Sequence, residues 1–225
     1  MNNEGQAPLT HILGKGLAIF GAGGFGREVA WLARKIYGDG IRMSFLVNRP
    51  DLVGSVVNGI LVSDVEKFAA NAPGTPTVVG IGDPKGRQAC TEICKSFGLQ
   101  LVSLVHPGVE ASETVSVGRG SVVCAGSILT TEIRIEEHVQ INLNCTVGHD
   151  VEIGEFSTLA PGVHVSGRVR LGKRVYVGSG AVIINGTEDR PLVVGDDAVI
   201  GAGACVIRNV ESQSLMVGVP AVRKN

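Results

Sequence analysis

From Val117 onward an aliphatic residue returns at every sixth position: Val117, Val123, Leu129, Ile135, Ile141, Val147, Ile153, Leu159, Val165, Leu171, Val177 and Ile183. With roughly three positions in ten aliphatic by chance, twelve in succession would arise with a probability on the order of 10⁻⁶, so the period belongs to the fold. Four residues after most of them stands a small or β-branched side chain, as at Ser121, Ser127, Cys145, Ser157, Val163, Ala181 and Ala204. One residue after many stands glycine: Gly118, Gly148, Gly154, Gly172, Gly178, Gly195 and Gly201. A six-residue step with branched side chains in columns predicts a parallel β-helix, in which three hexapeptides close one triangular coil and each residue lies above its counterpart of the previous coil. The glycines are expected at tight corners that need positive φ. An ordinary β-sandwich does not fit, because alternating strands have period two. The series breaks after Ile183 and resumes at Val194, Ile200 and Val206, which places an insertion within Asn185 to Leu192.

The first ~104 residues follow another pattern. Apolar stretches "LAIF", "MSFLV" and "TVVGIG" alternate with helical periodicity, seen in Val29, Leu32, Ala33 and Ile36 and again from about Pro84 to Phe97. Strands alternating with helices predict a small Rossmann-like parallel sheet, so the whole chain reads as an α/β module followed by the β-helix. Between the first strand and its helix, Gly21, Gly23 and Gly26 form G-x-G-x-x-G, which aims backbone N–H groups and a helix N-terminus at an anion, usually a phosphate. The alternative is that these glycines only permit tight strand-to-helix packing. A dinucleotide site would want an acidic residue about 20 positions further on to hold ribose. Val47, Asn48 and Arg49 stand there instead, with Asp51 close by. The expected organisation is an N-terminal extension over 1–16, the α/β module over 17–104, the β-helix over 105–215 and a tail over 216–225.

Composition narrows the function. Net charge is −1 and 18% of residues are charged, which provides no basic face for nucleic acid and no polybasic membrane segment. The apolar run Leu17 to Phe20 is far below the ~18 residues of a membrane span, and no signal-peptide pattern opens the chain, so the expected compartment is the cytoplasm. Five cysteines, Cys90, Cys94, Cys124, Cys145 and Cys205, lack CxxC spacing and read as reduced core residues, with neither disulfides nor zinc indicated. Glycine, 32 of 225 residues, is about twice its usual ~7% share, which the repeat accounts for.

The combination of "GAGGFGREV", hexapeptide coils containing "VGHDVEIG" and a terminal "VGVPAVRK" resembles the sugar acyltransferases of the NeuD and PglD type, over essentially the whole chain after residue ~16. The resemblance implies a left-handed coil, a homotrimer with acetyl-CoA in the groove between neighbouring β-helices, no metal, and an N-terminal module that holds the nucleotide diphosphate of a sugar acceptor. It implies His149 as the general base that takes the proton of the attacking amine or hydroxyl, and Asp150 as the carboxylate orienting the ring. Imidazole suits that task because its ordinary pKa, near 6.5, lies close to working pH. For Asp150 a plain turn cap is the alternative. The resemblance further implies an N–H donor to the acetyl carbonyl at Gly167, one coil above the base, and coenzyme A contacts from Asn185 and from Gly218, Val219, Pro220 and Ala221. Lys173, Arg174, Arg223 and Lys224 are the cations available for its phosphates. Gly21, Gly23, Gly24, Phe25, Gly26, Asn48 and Gly82 are expected against the nucleotide-linked substrate, and Asn142 against the acceptor sugar, although asparagine also tolerates coil corners.

Two positions depart from the family pattern. Where some relatives carry a second histidine contacting the cofactor, this chain has Thr158, so either its hydroxyl serves or the contact is absent. Where many carry an acidic pair after the second strand, Val47 and Asn48 stand, so the identity of the nucleotide stays open. His106, before Pro107, reads as structural or near the sugar; His11 falls in the extension, and His138 and His164 on the coils. A zinc-dependent β-helix enzyme would need three histidines to converge between subunits. The expected activity is acetyl-CoA-dependent N-acetylation of a nucleotide-linked 4-amino-4,6-dideoxy sugar of perosamine or bacillosamine type, a step toward surface glycans such as O-antigen. O-acetylation of a sialic acid is the closest alternative, and a non-catalytic trimeric scaffold is another.

Overall fold

The structure, a computed structural model, describes residues 1–3, 12 and 14–224; His11 and most of the expected extension lie outside them. The chain forms two units that meet in sequence between Leu104 and Val105. In the first, strands Leu17–Phe20, Met43–Val47, Ile60–Asp64, Pro76–Val79 and Gln100–Leu101 run parallel, and Val56–Val57 adds an antiparallel edge. Leu17–Phe20 lies between Met43–Val47 and Pro76–Val79. Strand order therefore reverses between Leu17–Phe20 and Pro76–Val79, the kind of switch point outside which open α/β sheets bind ligands. Leu17–Phe20 is buried along its length, and helix Gly24–Tyr37 packs Val29, Ala30, Leu32 and Ala33 inward. The stretch "TVVGIG" is only partly strand: Gly80 to Gly82 leave the sheet as a loop before helix Pro84–Ser96. Burial in this core pushes the Cys94 thiol up to about 12.

The second unit is the parallel β-helix. Its strands stack in three sheets with an 18-residue step, as in Ser116↔Arg134↔Glu152↔Arg170, Val122↔Gln140↔Thr158↔Tyr176 and Ile128↔Thr146↔His164↔Val182. The last residue of each strand in the sheet that starts with Ser116–Val117 points inward, so Val117, Ile135, Ile153, Leu171 and Val194 form one buried column. Burying a side chain of this kind contributes about 1.5–3 kcal/mol before entropy is set against it. The small inward positions are also filled as expected. The hydroxyls of Ser121, Ser127 and Ser157 are buried and donate to the carbonyls of Glu136, Asn142 and Gly172 at 3.1, 2.9 and 2.8 Å, which removes the penalty of an unpaired buried polar group.

The corner glycines correct one expectation. Gly118, Gly148, Gly154, Gly172, Gly178, Gly195 and Gly201 do not hold positive φ; the left-handed residues come two places later, at Gly120, Gly126, Glu132, His138, Asn144, Asp150, Phe156, Gly162, Arg168, Arg174, Gly180, Asp197 and Gly203. What excludes a side chain at Gly118 and Gly154 is the next coil: an added Cβ would meet its backbone at 2.5 Å in both places. Glycine here serves close stacking.

The insertion lengthens one step from 18 to 23 residues, pairing Val169 with Leu192 and Tyr176 with Val199. A shortened final coil then pairs Val199 with Leu215. Both ends of the stack differ from the sequence reading. Asn2–Asn3, placed in the extension, forms a strand beside Ser116–Val117, and Val222–Arg223, placed in the tail, pairs antiparallel with Leu215–Val217.

Candidate active site

His149 and Asp150 occupy the corner between strands Thr146–Val147 and Glu152–Ile153. Asp150 holds φ 56°, a conformation that aspartate tolerates better than most residues. Its neighbour's ring can therefore meet it: His149 Nδ1 lies 2.7 Å from Asp150 Oδ2, and both side chains are about half exposed, at 49% and 48%. A carboxylate bonded to Nδ1 selects the tautomer that leaves Nε2 free as a proton acceptor and stabilises the imidazolium once the proton has moved.

The other ring nitrogen lies over Gly167. An added Cβ there would stand 2.5 Å from His149 Nε2, so glycine is what lets the ring lie flat against the coil above. Gly167 O accepts from Gly186 N at 3.1 Å, while no acceptor among the described residues takes up the Gly167 N–H. An unclaimed donor beside a free imidazole nitrogen can stabilise negative charge developing on a carbonyl oxygen held there. At two other corners the side chain leans the opposite way, onto the preceding coil: His138 over Gly120 and Asn144 over Gly126. The insertion returns to the stack at this same corner, with Leu192 N on Arg168 O at 3.0 Å. An open depression of ≈ 440 Å³ beside the corner is lined by Glu132, Asp150, Arg168, Thr187, Glu188 and Pro191, among others.

Asn185 stands at the start of the insertion, with Nδ2 on Gly186 O at 3.1 Å. Gly218 (φ 92°) opens the final turn, Val219–Pro220 is a cis bond, Val219 is 74% exposed, and Ala221 is buried with its N–H on Cys205 O. Asn142 uses Oδ1 locally, on Leu143 N at 2.8 Å. Lys173 is exposed and paired with Glu155 at 3.0 Å, which raises its pKa.

Two predicted contacts meet structural obstacles. Arg174 is engaged on both its Nε and Nη2 by Asp197, at 2.9 and 2.8 Å, so its charge is already paired at the coil corner. Thr158 is only 4% exposed, on a strand between Gln140 and Tyr176, so its hydroxyl is not presented to a ligand. Of the other histidines, His106 accepts from Gly108 N at 3.0 Å, His138 is buried and stacked on Phe156, and His164 Nδ1 lies 2.8 Å from Thr146 Oγ1. Among the described residues no three or more His, Cys, Asp or Glu side chains gather as a metal site.

In the α/β unit, every predicted ligand residue falls at the carboxyl edge of the parallel strands. Gly21 (φ 108°) and Gly26 are packing glycines: a Cβ at Gly26 would stand 2.0 Å from Gly21 O, and one at Gly21 would stand 2.7 Å from Ile81 Cδ1. Gly23 and Gly24 are exposed, with open space where a Cβ would be, at a helix start that has no side-chain cap and no carboxylate in its first turn. The motif thus divides into a half that packs and a half that is exposed at the start of the helix. Asn48 is exposed just past Val47, and Gly82 opens to free space. Asp51, the nearest acid to the expected ribose position, is drawn to Arg49 at 2.7 Å, which holds its carboxyl below the usual range.

The sequence reading missed Arg87. Its side chain is fully buried, and Nη1 donates to Ile81 O at 2.9 Å and Gly82 O at 3.1 Å. Burial pushes its pKa down to about 9, opposed by Asp83, so it remains a cation at neutral pH directly behind the loop that carries Gly82. An arginine on the first turns of a helix reads as solvated surface in sequence, and nothing in the periodicity marks it as buried.

Comparison with known proteins identifies the family and the fold. The family model described as "Hexapeptide repeat of succinyl-transferase" matches residues 108–131 and 168–208. A GDP-perosamine N-acetyltransferase of Escherichia coli O157:H7 is 32% identical over 181 residues, covering 79% of this chain and 81% of that protein. Among solved structures, PerB from Caulobacter crescentus, in complex with CoA and GDP-perosamine, superposes with a TM-score of 0.82 at 28% identity, covering 93% of this chain and 97% of that one. The acetyltransferase domain of PglB from Neisseria gonorrhoeae FA1090, in complex with acetyl coenzyme A, gives 0.83 at 30% identity, covering 93% and 99%.

Proposed function

The chain belongs to the NeuD/PglD-type sugar acetyltransferases, enzymes built on a left-handed β-helix of hexapeptide repeats that take their acetyl group from acetyl-CoA, and from that premise we propose that it N-acetylates the 4-amino group of a nucleotide-linked 4-amino-4,6-dideoxy sugar of the perosamine or bacillosamine type. The observation that carries the mechanism is the His149–Asp150 corner beneath Gly167. Neutral His149 accepts the proton that the sugar's amine loses as it adds to the thioester carbonyl, through the Nε2 that the Asp150 bond leaves free. The unclaimed Gly167 N–H meets the oxygen on which charge develops. Imidazolium, stabilised by Asp150, then returns the proton as the CoA thiolate departs.

The acceptor's diphosphate is assigned to the carboxyl edge of the α/β sheet, with the N–H groups at Gly23 and Gly24 as donors and Asn48 and Gly82 near the nucleoside. An uncapped helix start free of carboxylates favours such an anion. The same feature argues for a nucleotide-linked acceptor over a free sialic acid. Coenzyme A is assigned to the coil surface bordered by Asn185 and the turn from Gly218 to Ala221, while Lys173 lies at another corner, between Leu171 and Tyr176. Three copies supply three such corners, each site completed by the neighbouring coil. Among the described residues no helix is long and apolar enough to cross a membrane. The proposal places the reaction in the cytoplasm, on a sugar nucleotide of a surface-glycan pathway.

The test is release of the CoA thiol from acetyl-CoA with GDP-, UDP- and dTDP-linked 4-amino sugars and with free sialic acid. We expect turnover on a nucleotide-linked amino sugar, and a fall of about 10²–10⁴ in kcat/KM for His149→Ala. Turnover on sialic acid alone would replace N- by O-acetylation, and full activity in the variant would remove His149 as the base.

A further inference from the structure

The corner column that contains Asp150 is charged at three successive coils: Glu132, Asp150 and Arg168, all left-handed at φ 52°, 56° and 57°. At the preceding corner of each coil the same conformation is held by Gly126, Asn144, Gly162, Gly180 and Gly203, residue types that adopt it at little cost. At the third corner the left-handed side chains have partners within the column: His138 stacks on Phe156, and Arg174 grips Asp197. The backbone alone therefore gives no reason for an arginine at position 168.

Its side chain leans toward the coil below, where Arg168 Nε lies 3.9 Å from Asp150 Oδ2. That is the same oxygen that His149 Nδ1 meets at 2.7 Å. The other charges around this depression are Glu132 one coil below, Arg134, Glu152, Arg170 and, from the insertion, Glu188. Arg170 lies 3.5 Å from Glu152, and Arg134 is bonded to Glu136. Arg168 is thus the guanidinium directed at the carboxylate of the pair. Glu132 and Asp150 both favour a proton on the nearby ring, and an arginine beside Asp150 opposes them.

We propose that Arg168 is a positioning residue for the His149–Asp150 pair: by drawing on Asp150 Oδ2 it weakens the carboxylate's hold on a protonated ring and keeps His149 in the neutral form that can accept a proton. The functional meaning rests on His149 being the base, whereas the electrostatic coupling does not. Its reach is modest, since both partners are partly exposed, at 38% and 48%, and such pairs are screened by water and salt.

The experiment titrates the His149 ring by NMR in the full chain with isotope-labelled histidine, using His149→Ala to assign the signal. Arg168→Asn removes the charge with a residue suited to the corner, and Arg168→Lys keeps the charge. We expect Arg168→Asn to raise the His149 midpoint by about half a pH unit at low salt, roughly a threefold change in the protonation ratio, with less effect in concentrated salt. Arg168→Lys should recover most of that shift. In a chain that already carries Asp150→Asn, adding Arg168→Asn should leave the midpoint where it was. The acid limb of kcat/KM should move with the ring. A midpoint unchanged or lowered in Arg168→Asn, or a shift that persists in full with Asp150→Asn, overturns the proposal. Turnover of His149→Ala judges the base separately, so a failed base and a failed coupling give different results.

Discussion

At the scale of single residues, the site depends on a contact that no side chain makes. Gly167 is not at positive φ, so alanine fits its backbone, yet the new Cβ would stand 2.5 Å from His149 Nε2. Gly167→Ala should therefore displace the ring while leaving the corner folded. We expect kcat/KM to fall at least about 10²-fold, the scale of an ångström's misplacement, with a melting temperature close to that of the parent. Unchanged turnover would mean that the ring does not work in the position it holds here. Residues of this kind are only partly legible in sequence. The adjacency of His149 and Asp150 was readable because it lies along the chain, and the placement of Gly167 followed from the period. Arg87 and Arg174 were not readable correctly, because whether a guanidinium is buried or internally paired is decided by elements distant in sequence. Thr158 shows the same limit, since a position on the repeat gives a direction from the coil axis but not what covers it.

At the scale of elements, the six-residue period translated directly into strands because each hexapeptide contributes one inward aliphatic side chain and stacks on a similar neighbour. Ile153 has no exposed surface and sits between Ile135 and Leu171. Ile153→Ala should cost about 2–5 kcal/mol, seen as a lower denaturation midpoint at fixed protein concentration; a loss well under ~1 kcal/mol would show that the column relaxes around the gap. The glycines were located correctly in sequence but for the wrong reason. Those following the aliphatic residues admit the next coil's backbone, and the left-handed turn two places later accepts Asp, Asn, Arg, His and Phe. Composition could not separate the two causes, because glycine satisfies both and occurs at both kinds of position. The G-x-G-x-x-G loop divides in the same way, with Gly21 and Gly26 needed for packing and Gly23 and Gly24 left facing solvent.

At the scale of the molecule, the coil keeps apolar side chains on its outside: Ile128, Val199, Leu215 and Ile207 are 41, 39, 38 and 45% exposed. Apolar exposure spread along a stack is what an assembly between coils would cover. Sedimentation should find a particle of three times the chain's mass, and dilution into a monomeric regime should abolish turnover; a fully active monomer would exclude a site completed by a neighbour. At each end of the stack one of the three sheets is extended by a short strand, Asn2–Asn3 at one end and Val222–Arg223 at the other. The insertion has a different consequence. Val165 still lies beneath Ile183 and Val169 beneath Leu192, so extra length is absorbed entirely outside the scaffold, beside the corner that holds Asp150 and Arg168. On the proposed mechanism that corner is a socket: segments of other length and chemistry would be seated next to an unaltered His149, and we expect that exchanging them retunes acceptor choice without rebuilding the protein that holds it.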